Sequence, residues 1–325
     1  MTETLYPTKA LSDYLARFDT VTILTHINPD ADTLGTGLGI YNLLKTERNR
    51  RVEIVNVSAD LPNYLDFLPG FERIKKQADF EESLIISCDC GSAARLGVDI
   101  SGRTVVNIDH HKSNEMYGTL NVVVPGAASA SQVAYRLFEK ITPISKEAAT
   151  CFYAALFSDT RYFTTASVNE EVFDVAKALV DLGAKPNEVA YNFTQRRSLA
   201  SLRILQKALE HLRLHLDAQV ASMTVSKQDI KAAGARIPDM EGVVDYARSL
   251  ATVEIGIFAM ELEDGIRVSL RSKHVDVSEL AKAFGGGGHA LAAGFTLEQC
   301  KIDEIMDTIL EKIKELGILN EAKKV

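Results

Sequence analysis

Four short apolar runs, rich in β-branched residues, recur in the first third of the chain and are separated by amphipathic stretches. The runs are VTILTH (21–26), RVEIVNV (51–57), SLIISCD (83–89) and TVVNID (104–109). Their apolar character is nearly continuous, which is typical of strands in a parallel sheet whose two faces are both covered. Because helical patterns alternate with these strands, the sequence predicts a doubly wound α/β domain with a mainly parallel sheet.

The remainder of the chain predicts a second, smaller domain. Further helical patterns lie at 129–140, 146–158 and 169–182, and SLASLRILQKALEHLRLHL indicates a linker helix. Strand candidates that begin near Gln219 and a closing helix after Lys301 indicate an α+β fold, and 325 residues suffice for two cores. The predicted parts are an α/β domain over 1–185, a linker helix over 186–216 and an α+β domain over 217–325.

The net charge and the N-terminal sequence narrow the classes of function. The formal net charge of -8 at pH 7 argues against a protein that tracks along long nucleic acid, because such binding needs many Lys and Arg side chains. The N-terminal stretch has no basic segment followed by an apolar one, and no apolar segment reaches about 18 residues. We therefore expect a cytoplasmic protein without a membrane span, whose phosphate ligand is small or held by metal.

Acidic and imidazole side chains stand at the ends of four predicted elements. They are His26, Asp30 and Asp32 after the first strand, Asp89 at the end of the third, Asp109, His110 and His111 at the end of the fourth, and Asp159 at the end of the helix AATCFYAALFSDT. The carboxyl ends of parallel strands face one crevice, where doubly wound proteins bind ligands. We therefore expect the fold to bring these side chains together.

Each of these residues has a simpler interpretation when it is taken alone. Asp32 could cap the next helix, and Asp30 could be a turn residue. Taken together, so many carboxylates in one crevice would repel each other unless cations neutralise them. Oxygen and imidazole ligands without thiolates favour Mn²⁺, or Mg²⁺, over structural zinc. The residues therefore predict two divalent cations that share one carboxylate and activate water for attack at phosphorus.

Two glycine-rich segments have different interpretations. LGTGLG, after the first predicted strand, has the spacing G-x-G-x-G and not the G-x-G-x-x-G of a dinucleotide-binding loop, so we expect its glycines to allow close packing of a helix on the sheet. GGGGH (285–289) lies between two apolar segments, and its glycines would let backbone amides approach an anion. The nearby strand VSLRSKH contains Arg271, whose guanidinium can bind a phosphate at two points.

The order of these motifs resembles that of a known family. The motifs are HINPDAD (26–32), SCD (87–89), DHH (109–111), SDT (158–160), RS (271–272) and GGGGHALAAG (285–294). In this order, and over nearly the whole chain, they resemble the DHH phosphoesterase superfamily, and within it the NrnA-like branch that has a DHH-associated C-terminal domain. The tripeptide DHH alone would be a weak signal, whereas the ordered set is specific.

The resemblance implies a role for each motif residue. One ion would be held by His26, Asp30 and Asp89, and the other by Asp32, Asp89, His110 and Asp159. His111 would contact the substrate phosphate, and Asp109 would orient the catalytic motif formed by Asp109, His110 and His111. The residues implied in substrate binding by the second domain are Arg271, Ser272, Gly286, Gly287, Gly288 and His289. The first domain would thus be catalytic.

The implied activity is two-metal hydrolysis of phosphoester bonds in short nucleotides, with short oligoribonucleotides, pAp, or linear or cyclic dinucleotides as substrates. Two alternatives stand beside it. A manganese-dependent inorganic pyrophosphatase resembles this chain only in its first half and has a different C-terminal motif. A non-catalytic nucleotide-binding regulator would not need every inferred metal ligand. The preferred substrate, the direction of attack and the existence of a homodimer stay open.

Overall fold

The computed structural model describes residues 6–46, 50–263, 265–298 and 300–319, so the start of the N-terminal stretch lies outside it. The chain divides into two compact units, Met1–Arg196 and Arg197–Val325. Each unit has its own sheet and its own buried hydrophobic clusters. Among the described residues, no helix is both long enough and apolar enough to cross a bilayer.

A six-stranded parallel sheet forms the centre of the first unit. Its strands are β1 (Thr20–Thr25), β2 (Arg51–Val55), β3 (Ile74–Lys75), β4 (Leu84–Cys88), β5 (Val105–Asp109) and β6 (Leu120–Val123). They lie in the order β3-β2-β1-β4-β5-β6, and every neighbouring pair is parallel. The order reverses between β1 and β4, where a doubly wound sheet opens a crevice at its carboxyl edge. The predicted α/β fold is confirmed, and β3 and β6 are additional edge strands.

Helices connect these strands and follow the last of them. They are α1 (Thr8–Arg17), α2 (Ala31–Leu44), α3 (Ala130–Phe138), α4 (Lys146–Asp159), α5 (Glu170–Asp181) and α6 (Pro186–Thr194). Four of these helices have an N-cap residue whose side chain accepts a hydrogen bond from a backbone N–H of the first turn. The N-cap residues are Asp30, Ser129, Ser145 and Asn169. Such caps satisfy N–H groups that have no partner within the helix. The cap of α2 is Asp30, and Asp32 lies inside its first turn.

Helix α2 packs closely against both the sheet and α4. A Cβ atom on Gly37 would lie 2.9 Å from Thr25 Cγ2 of β1, and one on Gly39 would overlap the ring of Phe152 in α4. Thirteen of the fourteen residues of α2 are buried. Only hydrogen fits at these two positions, so the glycines of LGTGLG serve helix packing, as the sequence predicts.

A mixed sheet forms the centre of the second unit. Its strands are β7 (Arg213–His215), β8 (Val220–Val225), β9 (Ile255–Leu262), β10 (Gly265–Ser272), β11 (Gly287–His289) and β12 (Ala292–Leu297). They lie in the order β11-β12-β10-β9-β8-β7, with β8 and β9 parallel and the other neighbours antiparallel. Its helices are α7 (Leu199–Glu210), α8 (Lys227–Ala233), α9 (Val243–Arg248), α10 (Ser278–Ala283) and α11 (Ile302–Leu316). The predicted α+β fold of the second unit is confirmed.

The prediction of a single linker helix over 186–216 is wrong. Helix α6 ends at Thr194, and α7 begins at Leu199 after a separate N-cap. The hydroxyl of Ser198 accepts a hydrogen bond from the backbone N–H of Ser201, which satisfies the start of a new helix. Because α7 ends at Glu210 and the chain continues into β7, this segment contains two helices and a short strand.

Candidate active site

The carboxyl edge of the parallel sheet carries the predicted acidic and imidazole residues of the first unit. His26 follows β1, Asp89 follows β4, His110 and His111 follow β5, and Asp159 is the last residue of α4. Ligand atoms lie within 4.8 Å of one another in three sets, which are His26, Asp30 and Asp89, then Asp32, Asp89 and His110, and finally Asp89, Asp109 and His111. The fold therefore brings these predicted residues into one cluster.

Asp89 belongs to all three sets. Its Oδ2 lies 3.7 Å from His26 Nε2, while its Oδ1 lies 3.5 Å from His110 Nε2 and 3.4 Å from His111 Nδ1. Only 4% of the side chain is exposed, and Oδ1 has no hydrogen-bond partner among the described residues. The φ angle of 53° is left-handed, a conformation that Asp adopts more readily than most residues. The two carboxylate oxygens thus face two different groups of side chains.

The first group is formed by the loop between β1 and α2. His26 Nε2 lies 3.8 Å from Asp30 Oδ1, and the other ring nitrogen, Nδ1, lies 2.9 Å from the carbonyl oxygen of Ile27. Asp30 Oδ1 also accepts hydrogen bonds of 3.1 Å from the backbone N–H groups of Asp32 and Thr33. The cap of α2 therefore also fixes the carboxylate that faces His26.

The second group joins β5, α2 and α4. His110 Nε2 lies 3.5 Å from Asp159 Oδ2 and 3.9 Å from Asp32 Oδ2. The carboxylate of Asp32 also accepts hydrogen bonds from Ala130 N at 2.6 Å and Ser131 N at 3.2 Å. These N–H groups begin α3, and the partial positive charge of a helix N-terminus stabilises a carboxylate there. The fold therefore fixes Asp32 from a second helix, 98 residues further along the chain.

Asp109 holds the two histidines of the DHH motif in place. Its buried Oδ1 accepts hydrogen bonds from His110 N at 2.8 Å, His111 N at 3.3 Å and His111 Nδ1 at 2.7 Å. Its Oδ2 accepts a hydrogen bond from Asn114 Nδ2. A carboxylate that receives the Nδ1 proton of His111 fixes both the orientation and the tautomer of that ring.

The crowded carboxylates shift the pKa values of the cluster in opposite directions. Burial, with repulsion from Asp89 and Asp159, raises the pKa of Asp32 well above its ordinary value. Burial raises the pKa of Asp159 to about 7, with His110 opposing and Asp89 adding to the increase, although 34% of its side chain is exposed. Burial also acts to raise the pKa of Asp89, but the nearby imidazoles of His110 and His26 outweigh it and lower that pKa overall.

These properties fit a site for divalent cations. The side chains alone cannot keep all of the carboxylates ionised at neutral pH without repulsion, and cations between them would remove that repulsion. The buried Oδ1 of Asp89 has no hydrogen-bond partner among the described residues, which suits a metal ligand. The donor atoms of the sets are carboxylate oxygens and imidazole nitrogens, the ligands that Mn²⁺ accepts.

Sequence reasoning missed three residues that contact the cluster. Thr33 Oγ1 donates to the carbonyl of Cys88 at 2.7 Å, which joins the β1 loop to β4. Asn114 supports Asp109, and Arg95 Nη2 lies 3.1 Å from His26 Nδ1. None of these residues ends a strand or repeats a spacing, so the sequence contained no signal for them beyond the closeness of Asn114 to the DHH motif.

Within the second unit, the predicted substrate-binding residues lie on neighbouring strands. In the register of the sheet, Arg271 of β10 and His289 of β11 are both paired with Ala292 of β12. Directly paired residues present their side chains on the same face, so Arg271 and His289 share one face, two strands apart. Ser272 points to the opposite face, where its buried hydroxyl donates to the carbonyl of Val275.

The glycine-rich segment of the second unit forms an edge hairpin. β11 (Gly287–His289) is the edge strand, and it pairs antiparallel with β12. A Cβ on Gly286 would overlap the carbonyl oxygen of Gly294, and Gly288 has a φ of 142°. Only glycine allows this close approach of the two backbones. The three residues of β11 are exposed, as an anion-binding role would require.

A doubly wound sheet with this cluster of carboxylates and imidazoles at its carboxyl edge defines a class, the metal-dependent hydrolases of phosphoesters. Comparison with known families agrees with this class. The model for the DHH family, N-terminal domain, matches residues 20–156, and the model for the DHHA1 domain matches residues 217–315. The chain therefore belongs to the DHH family, whose phosphoesterases depend on divalent metal ions, and it is a hydrolase.

Relatives and a solved structure resemble the chain over most of its length. It is 31% identical over 301 residues to the bifunctional oligoribonuclease and PAP phosphatase NrnA of Thermus thermophilus, covering 90% of this chain and 89% of that protein. It is 26% identical over 289 residues to NrnA of Bacillus subtilis, covering 87% and 91%. The crystal structure of an exopolyphosphatase-related protein from Bacteroides fragilis has a TM-score of 0.86 at 26% identity, covering 95% and 96%.

Proposed function

We propose that this protein hydrolyses phosphoester bonds in short nucleotides at a pair of divalent cations in the first unit. In this proposal His26, Asp30 and Asp89 hold one cation, and Asp32, Asp89, His110 and Asp159 hold the other. The observation that carries the proposal is the position of Asp89, whose buried carboxylate faces His26 with one oxygen and His110 with the other. A carboxylate in that position is suited to bridge two ions.

The chemistry divides between the cations and the side chains. When bound, two divalent cations supply Lewis-acid activation of water and of the phosphate ester. Burial acts to lower the pKa of His111, but the 2.7 Å hydrogen bond from its Nδ1 to Asp109 and the charge of Asp89 outweigh burial and raise it, so the ring can carry a proton on Nε2 as well and donate it to the substrate. In this assignment His111 contacts the phosphate and assists the leaving group.

The second unit is assigned to binding of the nucleotide. Support comes from the shared face of Arg271 and His289 and from the exposed edge strand that contains Gly287 and Gly288. A guanidinium and backbone amides are suited to a phosphate. Ser272 would act indirectly, since its hydroxyl is bonded to Val275 and shapes the turn that follows Arg271.

The relatives favour nucleotides as substrates. The two NrnA proteins are named for activity on oligoribonucleotides and on PAP. The net charge of -8 agrees with short rather than long nucleic acid, since binding along a phosphate backbone is favoured by an excess of Lys and Arg, and here acidic residues exceed basic ones. We propose short oligoribonucleotides and pAp as the substrates, and Mn²⁺ over Mg²⁺ because His26 and His110 contribute imidazole nitrogens.

A comparison of rates with Mn²⁺ and with Mg²⁺ tests the proposal. The substrates are pAp, pApA, RNA of about two to ten nucleotides, and pyrophosphate, and we expect Mn²⁺-dependent hydrolysis of the nucleotides. Phosphate release from pyrophosphate alone would instead identify a pyrophosphatase. Nucleotide binding without turnover in either metal would identify a regulator.

A further inference from the structure

Arg95 lies on a short turn that is attached to the His26 loop. The 3-10 turn Ala93–Leu96 follows Asp89, and the carbonyl of Arg95 accepts a hydrogen bond of 2.8 Å from the N–H of Ile27. Leu96 is buried beneath the turn, while Arg95 itself is exposed. The backbone of the turn is therefore fixed beside the cluster, and the exposed guanidinium lies 3.1 Å from His26 Nδ1, where a ligand can reach it.

His26 Nδ1 has two contacts that cannot both be hydrogen bonds in one neutral tautomer. It lies 2.9 Å from the carbonyl oxygen of Ile27, an acceptor, and 3.1 Å from Nη2 of Arg95, a donor. A neutral ring nitrogen either donates or accepts. Nε2, which faces Asp30 and Asp89, can bind a cation only when the proton is on Nδ1. In that tautomer Nδ1 donates to Ile27, and the N–H of Arg95 that faces it is available to another acceptor.

The charge of the cluster indicates which acceptor this is. The cluster contains five carboxylates, which are Asp30, Asp32, Asp89, Asp109 and Asp159. Once ionised, they carry five negative charges, one more than the four positive charges of two divalent cations. A phosphate that approaches adds further negative charge. A guanidinium at this position offsets the excess and can bind a phosphate at two points.

We propose that Arg95 is a phosphate-binding residue of this site. Its guanidinium donates to a non-bridging oxygen of the substrate phosphate when His26 uses Nε2 to hold a cation. The inference rests on the proposed function, and it adds a residue from the β4 loop to the groups that bind the reacting phosphate.

The test measures phosphate binding directly. The full chain loaded with Mn²⁺ is titrated with inorganic phosphate by calorimetry, as wild type, Arg95→Lys and Arg95→Met. We expect Arg95→Met to weaken phosphate binding by about tenfold to a hundredfold, because a charge-assisted hydrogen bond is lost, and Arg95→Lys to weaken it less. The KM for pAp should rise by a similar factor, and Mn²⁺ affinity should not change.

Arg73→Met is the matched control. Arg73 pairs with Glu72 and precedes β3, the outermost strand on one side of the sheet, whereas the cluster lies at the carboxyl ends of β1, β4 and β5. Wild-type phosphate affinity in Arg95→Met would overturn the proposal, as would a wild type that binds no phosphate. A loss of Mn²⁺ affinity equal to the loss of phosphate affinity would also overturn it, since Arg95 would then only support His26. A wild type that binds phosphate but hydrolyses no nucleotide would reject the proposed function and leave this test valid.

Discussion

At the scale of single residues, Asp89 is the side chain whose loss should affect the chemistry most. It belongs to all three of the sets of candidate metal ligands that are drawn wholly from the first unit. Asp89→Asn keeps the size of the side chain and tolerates the left-handed backbone, yet it removes the charge. We expect activity to fall about a thousandfold or more, since metal activation contributes several kcal/mol, while the fold stays intact.

Steady-state rates and circular dichroism of Asp89→Asn provide the measurement. Asp174→Asn, an exposed aspartate on α5, is the matched control and should keep wild-type rates. Near-native activity of Asp89→Asn would reject the bridging role.

Arg271 offers a second residue-scale prediction. Arg271 shares one face of the second unit's sheet with His289, so we assign it to binding of the substrate and not to the chemical step. Arg271→Ala should raise KM by about tenfold to a hundredfold with a smaller change in kcat, as expected for the loss of a charge-assisted hydrogen bond. Arg267→Ala, four residues earlier on β10, is the control. An unchanged KM in Arg271→Ala would refute the assignment.

Glu53 shows how a buried acid stabilises the sheet away from the site. Its carboxylate accepts hydrogen bonds from Asp79 N, Phe80 N and Thr22 Oγ1, and it forms a 3.0 Å ion pair with Lys75. Burial alone would raise the pKa of Glu53, but these hydrogen bonds outweigh burial and lower it below the ordinary value of 4.5. The ionised form is therefore the one that stabilises the folded state.

The stability contributed by Glu53 should depend on pH. Because the folded-state pKa is the lower one, the contribution is complete above the ordinary pKa and is lost as the pH falls through the folded-state value. Glu53→Gln should lower the free energy of unfolding by about 2 kcal/mol at pH 7 and by less in acid. Urea unfolding across this range measures the difference, with the exposed Glu81→Gln as control. A difference that is independent of pH would contradict the assignment.

At the scale of elements, helices α2 and α4 pack against each other. The first follows the loop that contains His26 and Asp30, and the second ends at Asp159, so this contact positions site residues from both helices. Gly39 of α2 lies against the fully buried ring of Phe152. An added methyl group would gain up to about 1 kcal/mol of helix propensity, but it cannot be accommodated by a ring with no space around it. Packing therefore outweighs helix propensity, and the substitution should destabilise the fold.

Gly39→Ala should lower the free energy of unfolding of the first unit by about 1 to 3 kcal/mol. The comparison is with Gly126→Ala, where an added Cβ has no heavy atom within 4 Å. Chemical denaturation of both variants measures the effect. Equal stability of the two variants would show that α2 and α4 can separate without cost.

The sequence pattern anticipated some elements better than others. The fully buried strands β1, β4 and β5 were evident because both of their faces contact apolar side chains. The edge strands β3 and β6 were missed, since β3 has only two residues and β6 is largely half-buried. The break between α6 and α7 was missed, although the polar residues Gln195, Arg196 and Arg197 interrupt the apolar spacing there, and the N-cap Ser198 decides where α7 begins.

At the scale of the whole molecule, the residues proposed to hold the two cations all belong to the first unit. Binding of Mn²⁺ should therefore stabilise that unit selectively, by about 2.7 kcal/mol at a free concentration of roughly 100 times Kd. For a domain of this size the increase in unfolding temperature is about 5 to 10 °C.

Scanning calorimetry with Mn²⁺ and with a chelator measures this shift. The transition of the first unit is the one that Gly39→Ala lowers, and it should be the one that Mn²⁺ raises. A chelated sample that keeps full activity, or a transition of the second unit that shifts equally, would contradict the location of the metals.

The sequence by itself determined the α/β character of the first unit and indicated most of the residues of the candidate site. It did so because buried parallel strands must be apolar throughout, so the polar residues at their ends, such as Asp89 and His110, stand out. The tertiary structure alone decided the rest. That α3 donates to Asp32 and that Arg95 lies beside His26 are contacts between segments 98 and 69 residues apart, and they depend on distances that no local pattern records.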